Sequence, residues 1–180
     1  MSKIIKHFNT ITKHRHQVIK HCFKAGIGAQ GLRHDLSKYT PVEFINGVKY
    51  YAEGKRSPNE NERADKGYSA AWLHHKGRNK HHFEYWTDYD PVTKRMMPVK
   101  MPVKYVKEMF CDRVAASKIY NRESYTDGDA LAYFMKSRDR RLKYFMIHPD
   151  TSRLIEKLLR MLKEEGEEKT FAYIRRLRRY

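Results

Sequence analysis

The sequence predicts an all-α fold, a single helical bundle with a helical C-terminal extension. Three observations carry that prediction. Apolar residues recur at i, i+3, i+4 spacing in several segments. Strand-like alternation is almost absent. Caps and breakers punctuate the chain where the helical periodicity stops. With 180 residues and 40% hydrophobic content, the chain can bury one sizeable core.

Residues 3–25 read as the first helix. His7, Ile11, His14, Val18, Cys22 and Ala25 share one stripe, with His21 at its edge and His16 on the opposite side. Gly26, Gly28 and Gly31 separate it from the next segment, which ends near Tyr39. Thr40-Pro41-Val42-Glu43 starts another helix, with Thr at N-cap, Pro at N1 and Glu at N3. That helix runs through Phe44, Val48 and Tyr51 and closes at Gly54. Lys55 to Asn61 reads as a polar loop with Ser57-Pro58-Asn59 turn chemistry.

A histidine-rich segment spans Ala71 to Trp86, read as helical although Gly77 weakens a helix by about 1 kcal/mol. Thr87 to Pro102 reads as irregular, since Pro91, Pro98 and Pro102 oppose a helix or a central strand; it is long enough to be a lid or rim. A helix resumes near Pro102 and runs to about Tyr120, with Tyr105, Met109, Ala115, Ala116 and Ile119 on its apolar face. Asp127-Gly128-Asp129 opens a helix through Leu131, Phe134 and Met135. Pro149-Asp150-Thr151 caps one through Leu154, Leu158, Met161 and Leu162 that ends near Gly166. Phe171 to Tyr180 is the last helix, and its Arg175, Arg176, Arg178 and Arg179 read as a solvated face.

Composition narrows the function classes. The formal charge is +17, so the expected partner is anionic: a nucleotide, another phosphate-containing small molecule, or nucleic acid. Cys22 and Cys111 form no CxxC pair, which excludes a cysteine-rich zinc finger and fits a reducing cytoplasm. No apolar run approaches a membrane span, and no signal-peptide core is present. There is no glycine-rich phosphate loop and no GxSxG elbow.

The chemistry concentrates in four places. His34-Asp35 pairs an imidazole with a carboxylate, and neighbours on a helix can reach one metal only over the helix edge. His14 sits in the middle of an apolar stripe. His74-His75 and His81-His82 lie seven residues apart, close to two helical turns, so with Arg78 they share one broad face. Asp112 sits in the middle of another apolar face, where a lone carboxylate is costly unless it is paired or bound to metal. The interleaved Lys76, Arg78 and Lys80 suit either a metal site with cationic groups aimed at a phosphate or a basic, stacking-capable RNA or DNA surface.

This order of residues resembles the H…HD…D pattern of the HD-domain superfamily of metal-dependent phosphohydrolases. His14 is followed by Val18 and Cys22, and His34-Asp35-Leu36-Ser37-Lys38 is similar to that superfamily's HD segment. The extra histidines resemble HD proteins that hold two metals. As a whole the chain is similar to an uncharacterised family of small bacterial and phage proteins sharing the HDLSKY and LHHKGRNKHH segments, residues 34–39 and 73–82. The resemblance covers roughly residues 10–120; the expected organisation is an HD-like metal-binding helical core over residues 1–125 with C-terminal helices over 126–180 packed on it as one domain. The resemblance implies His14, His34, Asp35 and Asp112 on one metal. Asp35 would bridge to a second metal held by one of His74/His75 and one of His81/His82, and Lys38 would face the substrate phosphate. Mixed imidazole and carboxylate donors suit one or two ions of Mn, Fe, Co, Ni or Zn better than Mg or Ca. The leading expectation is a phosphohydrolase with Asp35, Lys38 and Arg78 as catalytic residues. The rivals are an HD-fold di-iron oxygenase and a non-catalytic basic nucleic-acid-binding module.

Overall fold

The structure, a computed structural model, describes residues 2–52, 56–140 and 146–180. It is all-α apart from one hairpin. The helices are α1 (Lys3–Lys24), α2 (Gly28–Gly31), α3 (Pro41–Lys49), α4 (Pro58–Lys66), α5 (Ala70–Lys76), α6 (Val103–Asn121), α7 (Asp129–Arg140) and α8 (Pro149–Arg176). Strands β1 (Thr87–Asp90) and β2 (Arg95–Pro98) pair antiparallel between α5 and α6.

Local chemistry explains the boundaries. The Ser2 hydroxyl accepts from the Ile5 amide and caps α1. Pro41 and Pro58 occupy first-turn positions of α3 and α4, where a missing N–H costs nothing. Lys55 to Asn61 therefore contains a helix start as well as a loop: the Ser57 hydroxyl accepts from the Glu60 amide. Its helix, α4, carries almost no apolar residues, so no periodicity announces it. α3 stops at Lys49, short of Tyr51, and the expected stop at Gly54 lies outside the described residues.

The histidine segment is not one helix. α5 ends at Lys76, and His81 and His82 follow in a turn before a short 3-10 helix at Phe83–Tyr85. Gly77 ends the helix instead of merely weakening it. The expected irregular stretch holds the β1–β2 hairpin, exposed along most of its length, with Pro98 paired to Thr87 at its base, where β2 ends.

α6 is the central element and packs against α1, α7 and α8. Its buried set includes Val106, Phe110 and Val114 besides Met109 and Ala115, so it is covered on several sides. α8 bends at Gly166, whose φ of 79° lies in the left-handed region that glycine alone enters freely. With ψ at 175° the backbone there is non-helical, so α8 consists of two helical arms and the expected break falls at Gly166. The second part stops at Arg176, so Arg178 and Arg179 lie beyond it, and all four arginines are exposed. One apolar cluster joins Val18 and Cys22 of α1, Phe110 and Val114 of α6, Phe134 of α7, and Ile155, Leu158 and Leu162 of α8. Each such side chain, fully buried, contributes about 2 kcal/mol. Residues 126–180 thus share the core of residues 1–125.

Candidate metal centre

Two close approaches bring the His34-Asp35 segment into place. Gly31 lies so near α1 that a Cβ there would come within 2.4 Å of the Cys22 Cβ. The Arg15 guanidinium donates to the Leu32 and His34 carbonyls and ties the turn to α1. His34 and Asp35 are not consecutive residues of a regular helix. Asp35 has φ 52° and ψ 26°, a left-handed conformation uncommon outside glycine. This kink turns both side chains to one side, whereas consecutive helical residues point about 100° apart.

Two groups of ligand atoms meet at Asp35. His14, His34, Asp35 and Asp112 form one; Asp35, His75, His81 and His82 form the other. In the first, His14 Nε2 is 2.9 Å from Asp112 Oδ1, and His34 Nε2 is 3.4 Å from Asp35 Oδ2 and 3.6 Å from Asp112 Oδ1. In the second, Asp35 Oδ1 is 3.4 Å from His75 Nε2 and 3.5 Å from His81 Nε2, while His75 Nε2 and His82 Nε2 are 2.9 Å apart. Ligands held about 2.1 Å from one ion lie roughly 3–4 Å from one another, so these spacings fit. Asp35 presents one carboxylate oxygen to each group.

Two further carboxylates stand behind the imidazoles. Glu108 Oε1 accepts from Nδ1 of His34 at 2.9 Å and lies 3.3 Å from Nδ1 of His81. Glu43 Oε2 accepts from Nδ1 of His75 at 2.7 Å, and its Oε1 from Nδ1 of His74 at 2.6 Å. A proton held on Nδ1 makes Nε2, which faces the centre, the atom that would ligate a metal. Glu43 reads in the sequence as a capping residue at N3. In the fold the Thr40 hydroxyl bonds the Ser37 carbonyl and makes no cap, and Glu43 turns to the histidines. Glu108 reads as an ordinary helix residue; its one sequence signature is its place a turn before Asp112 on α6.

The electrostatics are those of a cation site. Burial opposes ionisation of Asp35, Asp112 and Glu108, yet all three carboxyls are held below their usual range, Glu108 at about 2. His34 and Lys38 do this for Asp35, His14 and His34 for Asp112, and His34 and His81 for Glu108. Burial would lower His34, but Asp35, Asp112 and Glu108 lift it well above the ordinary histidine value. Burial, then His81 and His75, push His82 far down. Lys38 lies at the more open edge, its ammonium 2.7 Å from Asp35 Oδ2, and Asp35 and Asp112 raise it against burial.

His34 Nε2, His81 Nε2 and Asp35 Oδ1 are buried without a hydrogen bond. Each such atom costs about 1–3 kcal/mol. These atoms lie within the His/Asp groups whose mutual approach suits a metal ion, and these groups could hold one.

The fold therefore joins His14, His34, Asp35, His75, His81, His82 and Asp112, with Lys38 at the edge. His74 is not in either ligand group; its ring is held by Glu43. Arg78 is exposed and bonds the His74 carbonyl, so the expected shared face with the histidines does not form. The break at Gly77 is the reason. Asp112 sits at a polar edge facing His14, not amid hydrocarbon. Among the described residues no helix is long and apolar enough to cross a membrane.

No curated protein and no solved structure matches the chain. A family model does match, over residues 3–161: the chain belongs to a family of unknown function (DUF5662).

Proposed function

We propose that the protein is a metal-dependent phosphohydrolase acting on a nucleotide or another phosphate ester through a dinuclear His/Asp site. The observation that carries the reading is Asp35, whose two oxygens each face a separate set of donors: His14, His34 and Asp112 on one side, the imidazoles of His75, His81 and His82 on the other. The resemblance of His14, His34-Asp35 and Asp112 to the HD-domain pattern supports the same assignment.

His14, His34 and Asp112 on one side of Asp35, and His75, His81 and His82 on the other, would hold one or two ions of Mn, Fe, Co, Ni or Zn, which would supply Lewis-acid charge and acidify water near neutral pH. The protein's own residues do the rest. Glu43 and Glu108 orient the imidazoles through Nδ1. Lys38, at the open edge, is placed to neutralise a phosphoryl oxygen. The charge of +17 draws an anionic substrate towards the protein.

The test is metal content of the purified protein followed by a screen of phosphate esters with Mn(II) or Co(II). Turnover that disappears in Asp35→Ala is the expected result, with metal affinity falling at least about a thousandfold, some 4 kcal/mol. Metal-free protein that gains nothing from added ions overturns the reading. A di-iron centre that consumes oxygen without hydrolysing esters replaces it with an oxygenase. Salt-sensitive oligonucleotide binding that survives both Asp35→Ala and chelation replaces it with a nucleic-acid module.

A further inference from the structure

Three of the imidazoles facing Asp35 have a carboxylate at Nδ1, but the carboxylates are not distributed one to each. Glu43 reaches His75, a ligand of the second group only, and its other partner, His74, belongs to neither group. Glu108 reaches His34 and His81 with one and the same oxygen. His34 belongs to the first group and His81 to the second. The two rings lie against each other, centroids 4.4 Å apart, and neither can turn without moving the other or leaving Glu108.

The surroundings keep Glu108 in place. It is buried, and its second oxygen accepts from the Gln30 amide on α2, the helix that leads into the His34-Asp35 turn. It also stands one helical turn from Asp112 on α6, so one rigid element sets a ligand and the group behind two others. Charge points the same way. Asp35 and Asp112 together match half the charge of two divalent ions, and Glu108 and Glu43, one layer behind, match the other half.

We infer that Glu108 is the shared positioning residue of both metal subsites: it holds one imidazole of each in its metal-facing tautomer and orientation. This rests on the dinuclear reading above. Glu43 serves one subsite alone and is the internal control.

The test is calorimetric titration of Mn(II) into chelator-treated full-length protein, with Co(II) visible spectra recorded at each step. Wild type binds two ions. Glu108→Ala weakens both steps, by up to about a hundredfold, and Glu108→Gln, which keeps shape and loses charge, weakens both by about tenfold. Both variants alter the Co(II) spectrum at both steps. Glu43→Gln weakens one step and leaves the other within threefold. Thermal melts without metal check folding, and where the alanine variant does not fold the glutamine variant decides. Glu108→Gln that leaves either step unchanged overturns the inference. Wild type that binds fewer than two ions overturns the dinuclear reading and, with it, this assignment.

Discussion

Around Asp35 the chain buries His34, His75, His81, Glu43 and Glu108. Around Leu158 it buries Leu154, Ile155, Leu159 and Leu162, and the only buried polar residues on that helix are Thr151 and Thr170. The two regions share α6, which turns Phe110 and Val114 to the hydrocarbon and Glu108 and Asp112 to the histidines. Apolar burial is favourable wherever area is covered and needs no particular partner. A buried imidazole or carboxylate pays desolvation first and recovers it only from a correctly placed neighbour. The C-terminal helices therefore stabilise the fold unconditionally. The histidine side depends on its pairings, and on whatever satisfies His34 Nε2, His81 Nε2 and Asp35 Oδ1.

Three experiments press on that contrast. The largest effect comes from cutting the hydrocarbon. Leu158→Ala removes a fully buried side chain and costs about 4 kcal/mol in urea unfolding. The extra stability conferred by saturating Mn(II), about 3 kcal/mol per ion at a hundredfold excess over Kd, stays the same in this variant. A metal increment that shrinks with Leu158→Ala would mean the two regions are not separable.

The next effect lies at the seam, where His21 on α1 meets α6 and α8. Its Nδ1–H donates to the Cys111 carbonyl, and Nε2 accepts from the Gln17 amide. Both bonds suit the neutral ring. Burial holds its pKa at about 4, below the ordinary value of 6.5. The folded pKa is depressed, so the unfolded chain takes up the proton first as pH falls. Stability from this group is complete above about pH 6.5 and is lost between 6.5 and 4, by up to about 3 kcal/mol. Urea midpoints across that window should flatten in His21→Gln by about one proton's worth of slope; an unchanged slope would remove His21 from the account. His7, also held at about 4 by burial and then by Lys38, contributes in the same direction and persists in that variant.

The smallest effect separates neighbours within the polar region. His74→Ala should leave metal affinity within about threefold, while His75→Ala weakens the second ion at least tenfold. Calorimetry of the two variants checks this, and equal losses would place both histidines on the metal.

Much of the histidine cluster was legible in the chain because its residues are rare where they stand. A histidine centred in the α1 stripe and the His34-Asp35 pair are anomalies that a simple core does not explain. Glu43 and Glu108 were not legible. A glutamate at N3 already has a local explanation, and a glutamate on a helix needs none. The helix α4 escaped for a related reason: its cap was visible at Ser57-Pro58, but without apolar periodicity the same residues read equally as a turn.

The sequence alone determined the all-α class, the apolar stripes of α1, α7 and α8, and most of the residues able to ligate a metal, because periodicity and residue chemistry are local. Only the tertiary structure decided which of them meet. Whether His74 or His75 faces Asp35 depends on where Gly77 ends α5. Whether His34 and Asp35 can act together depends on one left-handed residue. Whether a glutamate caps a helix or orients an imidazole depends on what packs against it from another part of the chain.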